Sequence, residues 1–203
     1  MNIQAIIFDV GGVLIRTADR SSRQNLEARL GLAEWESEKI VFNSEMGRLA
    51  QKGHVTTDDL WKSVAETLSL TPDEVTRFQQ EFWGGDVLDK EMVALIRKLK
   101  RRYQTAIISN ATDSLREALQ TVHPIADAFN LIVVSAEEKI MKPDPEIYRR
   151  TLKRLGRQAA ETVFIDDFAE NIAAAQELGM NTIHFNPSVN LTAELKNLGV
   201  NPE

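Results

Sequence analysis

The feature that most constrains this chain is a series of short, β-rich apolar runs, each four to six residues long, that stop abruptly. The run at 3–8 (IQAIIF) ends at Asp9 and is followed by Gly11-Gly12. Others lie at 105–108 (TAII), 131–134 (LIVV), 162–165 (TVFI) and 182–185 (TIHF). Runs this short and apolar read as parallel strands buried on both faces. Between them, amphipathic helices are expected at 89–102, from about 112, at 145–155 behind Pro145, and at 170–178 with Gly179 as a stop. Alternating strands and helices of this kind predict the α/β class, with a doubly wound parallel sheet.

One stretch breaks the alternation. From about residue 17 to 85 the periodicity is helical, and no strand candidate interrupts residues 19–83. Gly31, the Lys52-Gly53-His54 turn and Thr71-Pro72 read as helix boundaries. Thr71-Pro72-Asp73-Glu74 combines a capping Thr, a Pro at the first helical position and a Glu three residues after the cap, and Thr56 with Asp59 is a weaker version of the same box. The expected organisation is a discontinuous core, residues 1–16 and 86–203, interrupted by a helical domain at 17–85.

At 203 residues and 43% hydrophobic, the chain can bury one substantial core with a smaller module beside it. A formal net charge of -6 leaves no excess of Lys and Arg for a nucleic-acid backbone or an anionic membrane, so neither is expected as a partner. The absence of cysteine excludes a disulfide framework and any thiolate site, and fits a reducing compartment; the expected location is the cytoplasm. Residues 1–8 are apolar enough to suggest a signal-peptide core, but no basic segment precedes them and Asp9 interrupts the run, so they read as a buried strand. No apolar stretch approaches the roughly 18 residues needed to span a bilayer.

Three strands end in polar residues, namely Asp9, Ser109-Asn110 and Asp166-Asp167. Ligands of open α/β sheets bind outside the carboxyl ends of strands, so the chemistry is expected along that edge. Phe8-Asp9-Val10-Gly11-Gly12-Val13-Leu14, Ile108-Ser109-Asn110, Lys142-Pro143-Asp144-Pro145 and Ile165-Asp166-Asp167 with Asn171 resemble, in order, the four motifs of the haloacid dehalogenase superfamily. The resemblance covers nearly the whole chain. It implies a Rossmann-like core with a helical cap inserted between the first and second motifs, acting as a magnesium-dependent phosphohydrolase on a small phosphorylated metabolite, as a monomer or homodimer.

The resemblance also assigns roles. Asp9 would be the nucleophile, forming an acyl phosphate that splits hydrolysis into two steps. The Mg²⁺ ligands would be Asp9, the backbone carbonyl of Gly11, and Asp166 and/or Asp167, carboxylates that repel one another unless a hard cation lies among them. Ser109, with Asn110 and the amides of the following helix, would bind the phosphoryl group. Lys142 would offset the charge on Asp9 and the phosphate. In the turn of the expected cap, His54 is a candidate substrate contact; His123 and His184 read as structural, and Trp35, Trp61 and Trp83 as core packing of the insertion.

One position departs from the pattern. Most phosphatases of the superfamily carry a second Asp two residues after the nucleophile, as general acid and then base; here it is Gly11. A Gly there also occurs in a branch similar to sugar-1-phosphate phosphatases. Three readings follow: a phosphatase for an ester with a good leaving group, such as an anomeric sugar phosphate; a haloacid dehalogenase, which needs no general acid but also no metal; or a catalytically weak member retained for ligand or protein binding. Asp19 is the nearest downstream acid that could replace the missing one.

Overall fold

The computed structural model describes residues 2–201. Seven strands form, β1 (Ala5–Phe8), β2 (Ile15–Thr17), β3 (Asp86–Leu88), β4 (Gln104–Ser109), β5 (Leu131–Val134), β6 (Thr162–Asp166) and β7 (Asn181–His184). Five of them make one sheet in the order β5-β4-β1-β6-β7, with every neighbouring pair parallel. After β1 the chain lays down β4 and β5 on one side, then crosses back to place β6 and β7 on the other. That reversal leaves a crevice between the carboxyl ends of β1 and β6, where α/β sheets bind ligands.

Side-chain alternation along each strand splits the core into two layers. Ile6, Phe8, Ile107, Val163 and Ile165 face one way, packing with α6 (Lys90–Leu99), α7 (Leu115–Thr121) and α11 (Leu191–Asn197). Ala5, Ile7, Ala106, Ile108 and Phe164 face the other, against α9 (Pro145–Leu155) and α10 (Ala169–Glu177). Between β5 and α9 lies a single turn, α8 (Ser135–Glu138). All four residues of β1 are buried, as expected of a central parallel strand.

Between β2 and β3 the chain is helical: α1 (Ser21–Leu30), α2 (Glu36–Glu38), a π-helical turn at Lys39–Asn43, α3 (Glu45–Gln51), α4 (Thr57–Leu68) and α5 (Pro72–Trp83). These helices bury their own cluster, including Leu26, Leu60, Val64, Phe78 and Phe82. Gly31 closes α1 in the left-handed conformation, and both Thr-led boxes are complete, that of Thr56 as fully as that of Thr71. A charged group joins this insert to β3: Arg23 donates to both oxygens of Asp86 at 3.0 Å and to the Phe82 carbonyl at 2.7 Å.

Several details differ from expectation. The β2–β3 antiparallel pair was not anticipated, because three-residue strands reading IRT and DVL carry no apolar run. The helix expected at 89–102 ends at Leu99, with Asp89 serving as its cap by accepting from Met92 N at 2.8 Å. Of the tryptophans, Trp61 packs edge-on against Phe78, but Trp35 is 53% exposed and lies under the Arg20 guanidinium at 3.7 Å instead of entering the core. Among the described residues no helix is long and apolar enough to cross a membrane.

Candidate active site

Strand register brings the first and fourth motifs side by side. Phe8 pairs with Ile165 across β1 and β6, and Asp9 N donates to the Ile165 carbonyl at 2.9 Å, so Asp9 lies abreast of Asp166 at the crevice. Phe8 pairs with Ile107 on the opposite side, which brings Ser109, buried at the end of β4, to the same edge. Oxygen atoms of Asp9, Asp166 and Asp167, one from each, lie within 4.8 Å of one another.

Lys142 is the counter-charge among them. Its side chain is fully buried, and its ammonium contacts Asp9 Oδ1 at 2.9 Å and Asp166 Oδ2 at 2.6 Å. Asn110 holds the backbone that delivers it: the Asn110 amide donates to the Lys142 carbonyl at 2.9 Å and accepts from Lys142 N at 2.8 Å. The Asn110 side chain, expected to touch substrate, is thus engaged in placing Lys142.

The two aspartates after β6 have different surroundings. Asp166 Oδ1 accepts from Phe168 N at 2.8 Å and from Asn171 Nδ2 at 3.0 Å, while Oδ2 accepts from Lys142 and, at 3.1 Å, from Asn171. Tyr148 steadies Asn171 by donating to its carbonyl at 3.1 Å. Asp167 has the opposite character: its Oδ1 is buried with no hydrogen-bond partner. A buried carboxylate oxygen without a donor is costly unless a cation meets it. His184 is tied to this residue too, its Nε2 lying 2.9 Å from the Asp167 carbonyl oxygen.

Electrostatics follow from this crowding. Burial raises the Asp9 carboxyl to about 6, opposed by Lys142 and reinforced by Asp166. Burial also raises Asp167, again with help from Asp166. Asp9 Oδ1 accepts from Val10 N at 2.7 Å as well as from Lys142. Among the described residues, Asp9 Oδ2 has no donor.

Gly11 and Gly12 behave differently. A Cβ on Gly12, whose φ is +72°, would lie 2.0 Å from Asp167 Oδ2, so only glycine lets the loop pass beneath that carboxylate. A Cβ on Gly11 would meet nothing within 4 Å.

Two expected contributors stand apart. His54 lines a cleft of about 330 Å³ together with Asp113, Glu137 and Lys139, and none of the three clustered aspartates borders it. Asp19 is exposed and spends both oxygens on Ser21, whose backbone and hydroxyl donate at 2.8 Å and hold its carboxyl below the usual range. Sequence reasoning missed Tyr148, the His184 contact and the amide of Phe168. Only the Asn171 spacing from Asp166 gave any sign of the carboxylate's support.

The profile of haloacid dehalogenase-like hydrolases matches residues 3–179. The chain belongs to this family. Within it, the chain is similar to a sesquiterpene phosphatase of Aspergillus oryzae, 31% identical over 196 residues that cover 96% of each protein. A D-ribitol-5-phosphate phosphatase of Bacteroides thetaiotaomicron is 25% identical over 191 residues, covering 89% of this chain and 90% of that one. A haloacid dehalogenase family enzyme from the same bacterium, solved with magnesium and inorganic phosphate, superposes with a TM-score of 0.81 at 25% identity, covering 95% of this chain and 99% of that one. The match spans both strands that flank the crevice, β1 and β6.

Proposed function

We propose that this chain is a magnesium-dependent phosphatase acting on a small phosphate monoester through an aspartyl phosphate on Asp9. The observation that carries the reading is the cluster of Asp9, Asp166 and half-buried Asp167, the first two paired with buried Lys142, with the buried Asp167 Oδ1 lacking any donor. The residues fit a hard divalent cation, which prefers oxygen ligands. Asp167, with its orphan Oδ1, is assigned as a direct ligand beside Asp9 and the Gly11 carbonyl. Asp166, already satisfied by Lys142, Asn171 and Phe168, is assigned to orient Lys142. When bound, Mg²⁺ would neutralise charge on the phosphoryl oxygens.

The chain's own groups divide the rest. Asp9 Oδ2 attacks phosphorus, forming the acyl-phosphate bond as the ester P–O bond breaks and the alkoxide leaves. Lys142 holds Asp9 Oδ1 and balances the anionic centre. Ser109 and the amides after β4 are assigned to the phosphoryl oxygens. Water then attacks phosphorus, the bond to Asp9 breaks, and inorganic phosphate departs. Residues 17–85 act as the cap over this site, excluding water and reading the leaving group.

The substrate class is narrower than "phosphate ester" because Gly11 offers no proton: esters with good leaving groups, such as anomeric sugar phosphates, are favoured. The two phosphatase relatives act, by name, on a sesquiterpene and on a primary-alcohol ester, so a panel must span both chemistries. Dehalogenation would leave the buried Asp167 oxygen without a role. A cytoplasmic setting agrees with the lack of cysteine.

Hydrolysis of an aryl phosphate should require Mg²⁺ and stop with chelator, and Asp9→Asn should abolish turnover. Full activity in chelator, or turnover retained by Asp9→Asn, would reject the proposal.

A further inference from the structure

We propose that Ser135 is a positioning residue that couples the helical insert to the loop carrying Ser109 and Asn110. This rests on the phosphatase reading only for what the loop does, and on geometry for the coupling itself.

Ser135 opens α8 and is fully buried. Its hydroxyl accepts from Ala111 N at 2.9 Å and donates to the carbonyl of Gln51, the last residue of α3 in the insert, at 2.6 Å. One side chain therefore satisfies a backbone donor of the loop after β4 and a backbone acceptor of the insert. Both contacts are buried or partly buried, where an unpaired backbone group is expensive. The partner on the catalytic side is well placed to matter: Ala111 follows Asn110, whose amide fixes the Lys142 backbone from both directions. A continuous chain of contacts thus runs from Gln51 through Ser135, Ala111 and Asn110 to Lys142, and so to Asp9 and Asp166.

Further contacts hold the insert's turn against the same part of the core. Lys139 Nζ donates to the Gly53 carbonyl, and Thr57 N donates to Asp113 Oδ1 at 3.1 Å. A Cβ on Gly53 would lie 1.9 Å from the Ala136 carbonyl oxygen, so the turn packs directly on α8. The turn is thus packed on α8, and the Ser135 hydroxyl is the buried link between the insert and the loop after β4. In this arrangement the position of the insert biases how firmly Ser109 and Asn110 are held.

The test is a double-mutant cycle between Ser135→Ala and Lys139→Met, the second being an exposed contact whose loss loosens the turn without entering the core. Three quantities are measured in wild type, both singles and the double: affinity for inorganic phosphate in the presence of Mg²⁺, amide hydrogen exchange at residues 109–111, and melting temperature. Ser135→Ala is expected to weaken phosphate binding about tenfold, the scale of one or two ordinary hydrogen bonds, and to speed exchange at 110 and 111. Lys139→Met is expected to weaken phosphate binding a few-fold when Ser135 is present and to add nothing when it is absent. Effects that simply add, or a lowered melting temperature with phosphate affinity and exchange at 109–111 unchanged, would overturn the coupling. If Ser135→Ala does not fold, Lys139→Met alone decides, since unchanged exchange at 109–111 in that variant contradicts the relay. Should wild type neither bind phosphate nor hydrolyse any ester, the phosphatase reading fails while the exchange measurements still judge Ser135.

Discussion

Replacing Gly11 with Asp is the sharpest probe of how this site handles the leaving group. The position accepts the side chain: a Cβ there meets nothing within 4 Å, and Gly11 is absent from the glycines of positive φ. Two effects of opposite sign follow. A general acid at this point contributes on the order of 10²–10⁴ in rate, or roughly 3–5 kcal/mol of barrier. Against this, a fourth carboxylate beside Asp9, Asp166 and Asp167 raises Asp9 further above its value of about 6. With Mg²⁺ held by the same carboxylate, the ion's charge would keep Asp9 ionised at neutral pH, so this penalty belongs to the metal-free protein. The gain therefore dominates by at least an order of magnitude at neutral pH. Rapid-quench kinetics over a series of aryl phosphates would read it directly. In wild type the rate of phosphoenzyme formation should rise steeply as leaving-group pKa falls, and the acyl phosphate should accumulate because water lacks a base. In Gly11→Asp the dependence should flatten, primary-alcohol esters should gain about 10²-fold, and the intermediate should no longer build up. Equal slopes in the two proteins, or a flat dependence in wild type, would show that another group already supplies the proton. Asp19→Asn is the matching control and should change neither slope, since Ser21 occupies both Asp19 oxygens and lowers its carboxyl.

Two more outcomes are expected. Lys142→Met removes the ammonium shared by two buried carboxylates and should destabilise the metal-free protein by about 3–5 kcal/mol at neutral pH, with added Mg²⁺ restoring part of the loss; urea melts with and without the ion would detect this, and an unchanged midpoint refutes it. For pH, Asp9 is raised from 3.8 to about 6 in the folded protein, so its stabilising contribution is complete below 3.8 and lost as pH rises through about 6. Metal-free Asp9→Asn should accordingly gain about 2 kcal/mol on wild type between pH 4 and 7, and a pH-independent difference would contradict the burial argument.

Much of this architecture was legible because it rests on local patterns. The five apolar runs appear as the five parallel strands, Pro145 opens α9 where expected, and Gly31 and Thr71 bound helices of the insert, because strand hydrophobicity and capping chemistry act over a few residues. The parts that escaped depend on pairing across long separations. The β2–β3 pair joins residues about seventy apart with no run to announce it, and Tyr148 meets Asn171 only through the packing of α9 on α10. For the candidate site, the motifs pointed to residues that the fold gathers at one edge, but their different surroundings needed geometry. Asp166 and Asp167 are indistinguishable as a dipeptide, yet one is saturated with donors and the other has an orphan oxygen. Asn110 and His54 show the same limit, since nothing in their spacing says that one would hold a lysine's backbone and the other line a separate cleft.

The pairing of Thr17 with Asp86 has an architectural consequence. Residues 18–85 begin and end at the same point in space, so in the path of the chain they occupy the place of a hairpin turn. A turn can be lengthened at small entropic cost once its ends are pinned, because closure entropy grows only logarithmically with length. The sheet and its catalytic edge are therefore indifferent to what fills that turn, beyond the bonds that the filling makes back to Asp86, Asp113 and α8. A scaffold of this kind can exchange its whole insert, in size and in shape, without disturbing the strands that carry Asp9 and Asp166.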